Sequence, residues 1–214
     1  MRRVSNLTDL TVDTQIDVWP SLIDMLTSVL MIFLMIYFVQ HLLNPENLAA
    51  AIAQQKQNQF VAIFRREFNN ELKSNDVRLK SDVNLLQITF GEGILFQPAE
   101  HDLQPAGKNA LARLAKVFQQ LPAADGQELY EQIQIEGHTD KTPMNSPDYP
   151  RDNWELSTAR ALAVLKFLNA RSELSLNAKR KMSANGYADN RPIDRKVQYK
   201  NRRIEIRIYF SGKR

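Results

Sequence analysis

Residues 132–140 read Gln-Ile-Gln-Ile-Glu-Gly-His-Thr-Asp. Ile133 and Ile135 alternate with Gln132 and Gln134, the pattern of a half-buried strand, and Gly137-His-Thr-Asp140 ends it. Downstream, Asp152-Asn-Trp-Glu155 has the spacing of a capping box, and Ala161, Val164, Leu165 and Leu168 continue the helix it opens. Upstream, Leu111, Leu114, Phe118 and Leu121 mark one face of a helix that starts after Pro105 and stops at Pro122. Leu86, Ile88 and Phe90 alternate with Gln87 and Thr89, and Ile204, Ile206, Ile208 and Phe210 alternate with Glu205, Arg207 and Tyr209. Both read as strands. The order β-α-β-α-β predicts an α+β sandwich over residues 82–214, with helices packed on one mixed sheet.

Composition limits what such a domain can do. The 214 residues leave room for one domain and something smaller, and 43% apolar with 24% charged residues is ordinary for a folded chain. There is no cysteine, hence no disulfide, thiolate metal site or thiol nucleophile. The three histidines, at 41, 101 and 138, are too scattered for a His-rich metal cluster. No Gly-rich phosphate loop, nucleophile elbow or metal-ligand spacing occurs, so neither an enzyme nor a bound cofactor or metal is expected. The net charge of +4 is unevenly spread: residues 179–214 hold 12 basic and 3 acidic side chains. Such a segment attracts any polyanion, but nucleic acid is not expected as a partner.

A mean hydropathy of −0.39 excludes several membrane spans but allows one. Leu22–Val39 reads LIDMLTSVLMIFLMIYFV, extendable to Leu43. The longer version is about 33 Å as a helix, enough for a bilayer core of roughly 30 Å. The layout expected is a tail over 1–18, a membrane helix over 19–43, a helical stalk over 44–81 and the domain from 82. A cleavable signal peptide is the rival for the span, with Ala49–Ala53 a conceivable cleavage region. Arg2 and Arg3 before the span favour a cytoplasmic N-terminus. In the stalk, Leu48, Ile52, Phe60, Phe64, Phe68 and Leu72 recur at multiples of four, an amphipathic helix that either pairs with a second copy or packs on its own domain.

Two places carry charged chemistry. Asp24 is the one charged residue of the span, and an intramembrane carboxylate costs about 2.5–3.5 kcal/mol on insertion scales, which marks an ion path. The alternative is that Ser21-Leu-Ile-Asp24 is a capping box at the membrane surface. In the domain, Asp140 ends a strand, and Asn153, Ser157 and Arg160 share one helix face. An acid and a guanidinium held apart suit a zwitterionic ligand; a plain surface ion pair is the alternative.

Four motifs resemble the OmpA-like peptidoglycan-binding domain: Glu136-Gly-His-Thr-Asp140, Asn153-Trp-Glu-Leu-Ser-Thr-Ala-Arg160, Asn185-Gly-Tyr-Ala-Asp-Asn-Arg-Pro192 and Asn201-Arg-Arg-Ile-Glu-Ile206. The resemblance implies that Asp140 and Arg160 hold the diaminopimelate of the peptidoglycan stem, with Asn153 and Arg203 as further site residues. The longer stretch between Asp140 and Asn153, and Trp19-Pro-Ser-Leu-Ile-Asp24-Met-Leu-Thr27 in the span, are similar to flagellar stator B subunits (MotB-like) and to Zorya antiphage-defence motor subunits (ZorB-like). That likeness implies a single-pass inner-membrane protein with its domain in the periplasm. It further implies a dimer inserted in a pentamer of multi-span A-type subunits, with Asp24 and Thr27 on the path of a translocated H⁺ or Na⁺. Leu22-Ile23 stands where flagellar members have Tyr-Ala, and their plug and long linker are not identifiable, so a Zorya-type motor, a flagellar stator and a passive membrane-to-wall tether all stay open.

Overall fold

The computed structural model describes residues 18–42, 45–120, 130–144 and 147–210. The N-terminal tail, Leu43 and the helix stop expected at Pro122 lie outside them. The chain divides into two units, Met1–Asn44 and Pro45–Arg214.

The first unit is helix α1, Trp19–Leu42, long and apolar enough to cross a membrane, with no buried side chain. It begins three residues earlier than the capping box requires. Leu22 N–H already donates to the Val18 carbonyl at 3.0 Å. Ser21 is therefore inside the helix and Asp24 lies beyond its first turn, so the cap reading of Ser21 and Asp24 does not hold. Thr27 Oγ1 donates to the Asp24 backbone carbonyl at 2.9 Å.

In the second unit the residues expected as a stalk are built into the domain. They form α2 (Pro45–Glu67), α3 (Asn69–Lys73) and an edge strand, β1 (Val77–Asp82). Phe60, Phe64 and Phe68 are fully buried in the domain core. Phe64 stacks on Phe68 with centroids 4.4 Å apart, and Phe60 meets Phe118 edge-on at 5.4 Å. Each such ring stabilises the fold by about 1.5–3 kcal/mol. One turn before them, buried Gln57 donates to the carbonyls of Asp82 and Leu85 at 2.7 and 3.1 Å, closing the hairpin between β1 and β2 (Leu85–Gly91). Of the two roles open for the apolar stripe, packing on its own domain is the one observed.

Short helix α4 (Glu92–Leu95) precedes α5 (Pro105–Gln119), β3 (Tyr130–His138), α6 (Asn153–Asn169), α7 (Leu176–Arg180), β4 (Met182–Gly186) and β5 (Arg203–Phe210). The sheet order is β1-β2-β5-β3-β4, parallel only between β3 and β4. The mixed α+β sheet is as expected, with β1 and β4 added at its edges. Ile133, Ile135, Ile204, Ile206 and Ile208 share the core with Leu111, Leu114, Val164 and Leu168. Alternation along the strands therefore turns Glu136, His138, Arg203 and Glu205 to the opposite face. Asp152 caps α6 by accepting from Glu155 N at 2.8 Å, the capping box legible in the sequence. Close approach of α6 to β3 depends on Gly137, where a Cβ would fall 2.0 Å from the Ser157 carbonyl oxygen.

Candidate functional site: an alternating chain of charges

The end of β3, the start of α6 and the segment before β5 converge on a cleft of about 300 Å³. Asp140 reaches it because β3 ends at His138; Thr142 N–H donates to its Oδ1 at 3.0 Å and fixes the carboxylate. Asn153, at the start of α6, donates to the carbonyls of Thr142 (2.9 Å) and Asp140 (3.3 Å), holding that turn against the helix. Arg160 lies two turns further along α6 and is 2% exposed. Its Nε donates to the Glu100 carbonyl at 2.7 Å, and its guanidinium stands 5.1 Å from the centroid of Phe96. Ser157, between them on the same helix face, instead accepts from Ala188 N–H at 3.0 Å and is structural.

Glu92 and Arg202 complete the site. Arg160 Nη2 donates to Glu92 Oε1 at 2.5 Å, Arg202 Nε to Glu92 Oε2 at 2.6 Å, and Arg202 Nη1 to Asp140 Oδ2 at 2.6 Å. The result is an unbroken series Arg160–Glu92–Arg202–Asp140, alternating in sign. Burial lowers the Arg160 pKa, while Glu92 opposes the shift. Burial acts the same way on Arg202, but hydrogen bonds to Asp140 and Glu92 outweigh it and raise its pKa. Pro98, Met144 and Leu156 supply apolar wall. Two guanidiniums and two carboxylates in one cleft can receive a ligand that carries both an ammonium and a carboxylate, by exchange against internal ion pairs.

Asp140, Asn153 and Arg160 are thus brought together, as the sequence reading expected. Arg203 is not with them. It sits on the opposite sheet face, where Nε donates to Glu205 at 2.6 Å and Nη2 to the Arg191 carbonyl at 3.0 Å. Arg202 occupies the cleft in its place, because it has the parity of Ile204, the first core-facing residue of β5. Arg202 stands beside Arg203 in the Asn201-Arg-Arg motif, whereas Glu92, with the same parity as Phe90, belongs to no motif; strand parity one step past each strand end selects both.

The profile of the OmpA family matches residues 95–205, more than half of the chain. The uncharacterized protein YtxE of Bacillus subtilis is 30% identical over 154 residues, a match that covers 68% of this chain and 59% of that protein's length. A putative MotB like protein from Desulfovibrio vulgaris superposes with a TM-score of 0.62 at 20% identity, over 76% of this chain and 99% of its own. The cell wall anchor of the T6SS from Pseudomonas aeruginosa gives 0.56 at 24% identity, over 69% and 96%. At these identities the two structures share a fold with this chain. With the family profile matched across β3, α6 and most of the cleft, the chain belongs to the OmpA family.

Proposed function

We propose that the chain is the peptidoglycan-anchored B-type subunit of an inner-membrane, ion-driven rotary motor, of the kind found in Zorya antiphage defence. The observation that carries this reading is the sign-alternating cleft, on a chain that also carries a membrane-length helix with one acid in it. In the cleft, the terminal ammonium and carboxylate of a diaminopimelate side chain exchange against the internal pairs. The ligand carboxylate takes the place of Glu92 on Arg160 and Arg202, and the ammonium goes to Asp140. Asn153 holds the Asp140 turn in position. The domain stands in the periplasm and grips the wall, while the N-terminus stays in the cytoplasm.

In the membrane, Asp24 binds and releases H⁺ or Na⁺, with Thr27 one turn on. A membrane potential supplies about 2.3 kcal/mol per charge per 100 mV to that transfer. Two copies seat their helices in a pentamer of multi-span A-type subunits, which turns against the wall-held dimer. Sedimentation with purified peptidoglycan tests the wall half: Arg160→Glu is expected to abolish it, and unchanged sedimentation refutes the site. Asp24→Asn tests the motor half: it is expected to abolish activity while the complex still assembles, and retained activity refutes ion carriage.

A second reading, a passive tether from membrane to wall, is favoured by the packing of α2 into the domain and by the fold shared with a cell wall anchor. It predicts no multi-span partner on purification in mild detergent. A flagellar stator differs from the leading reading only in what the rotating A subunit drives.

A further inference from the structure

On the sheet face away from the helices, Glu136 and His138 of β3 and Glu205 of β5 converge. Glu136 and Glu205 stand directly opposite each other in the β3–β5 ladder. Like charges so placed destabilise a sheet unless neutralised. All three side chains are buried, and one donor atom from each lies within 4.8 Å of the others. Both ring nitrogens of His138 and Oε2 of Glu136 are inaccessible and have no hydrogen-bond partner among the described residues. Three guanidiniums balance the two carboxylates. Arg203 is buried and donates to Glu205 Oε1 at 2.6 Å. Arg207 approaches Glu205 Oε2 at 3.2 Å and Glu136 Oε2 at 3.4 Å, and Arg191 reaches the latter only at 3.6 Å. Those two side chains are 26% and 47% exposed and enter from the rim.

We infer that Glu136, His138 and Glu205 form a site for a divalent first-row transition cation such as zinc, which enters as Arg207 and Arg191 turn out to solvent. The exchange conserves charge, since two guanidiniums leave and one dication arrives. One imidazole nitrogen and two carboxylate oxygens match zinc and its neighbours, whereas magnesium and calcium prefer oxygen alone. Arg203 stays on Glu205 Oε1 and orients the carboxylate so that Oε2 is the donor. Arg191 already lies over the Tyr187 ring at 3.7 Å, so its guanidinium keeps a cation–π partner when it leaves Glu136. Tyr187 in turn stacks on His138 at 5.5 Å and fixes the imidazole plane. Nothing in the linear sequence signals the site, because its third ligand comes from a strand far along the chain.

The test uses the full chain, chelator-stripped in detergent and titrated with Co²⁺. Ligand-field bands are expected to saturate at one ion per chain and to vanish on adding Zn²⁺. His138→Gln and Glu136→Gln each weaken Co²⁺ binding more than about tenfold, since even outer-shell partners of a metal carry that much. Arg207→Ala removes a competing cation and tightens binding, which a purely structural ion cluster would not produce. A readout that needs no variant is the His138 imidazole nitrogen resonance, expected to shift on saturation with Zn²⁺. Absent bands and an unmoved resonance in the folded wild-type chain overturn the site. So do bands that survive either ligand substitution.

Discussion

Replacing Phe64 by alanine asks whether α2 is a stalk or a wall of the domain. Phe64 is fully buried, stacked between Phe60 and Phe68 at 6.2 and 4.4 Å. Truncating a buried Phe costs about 3–5 kcal/mol, the lost transfer energy plus the cavity left behind. The upper half of that range applies here, because the two flanking rings are held by α5, β2 and β5 and cannot collapse into the gap: Phe60 meets Phe118 and Phe210, and Phe68 meets Phe90. For a unit of this size each kcal/mol lowers the midpoint by about 2–4 °C, so Phe64→Ala should lower it by roughly 8–20 °C. The assay is thermal unfolding of the full chain in detergent, followed by circular dichroism, with Phe33→Ala in α1, outside the domain core, as control. A loss below about 0.5 kcal/mol would refute the packing, since surface substitutions stay within that level. A midpoint that depends on protein concentration would instead assign the Phe stripe to a second copy.

Further outcomes follow from the same geometry. Glu92→Gln weakens the internal competitor for Arg160 and Arg202, so peptidoglycan sedimentation should need several-fold less wall material; weaker binding would show that Glu92 contacts the ligand's ammonium. Gly137→Ala places a methyl 2.0 Å from the Ser157 carbonyl. It should destabilise by about 1–3 kcal/mol or more as α6 is forced off the sheet, and wall binding should fall with it. Asp194 accepts from Val197 N–H, Lys200 and Lys196 N–H, which together hold its pKa at about 2. Because the folded value lies below the unfolded one, its stabilisation is complete above about pH 4 and is lost as pH falls through about 2. An NMR titration of the carboxyl carbon checks it, and a midpoint near 4 would contradict the turn geometry. A fragment starting at residue 82 should fail to fold, lacking β1 and the three Phe, whereas one starting at Pro45 should fold.

The parts of the fold legible in the sequence are those where alternation or helical spacing meets an apolar face. β2, β3, β5, α5 and α6 each bury one clean stripe and were read within a few residues. β1 was not, since Arg78, Lys80, Ser81 and Asp82 make it an edge strand with few apolar residues to alternate. β4 was missed because Met182-Ser-Ala-Asn-Gly186 carries no apolar pattern and exists through its parallel pairing with β3. The stripe on α2 was visible, but no local signal distinguishes a face that meets another copy from one that meets its own sheet. In the site, motif spacing found Asp140, Asn153 and Arg160, which sit on two consecutive elements. Glu92 is 68 residues from the arginine it pairs with, and only the sheet brings them together.

That α2 lies within the core would also decide where tension enters the domain if it is held to the wall as proposed. Pulling at Pro45 does not draw out a slack tether. It acts along a helix keyed into its surroundings by Phe60, Phe64 and the Gln57 amide, with Phe68 just past its end, so the first resistance is shear of that whole seam rather than the peeling of one contact. The chain yields length only after the seam fails. On the proposed motor reading the domain would until then behave as a stiff fitting, and a force generated at one end would reach the other without being spent on unwinding.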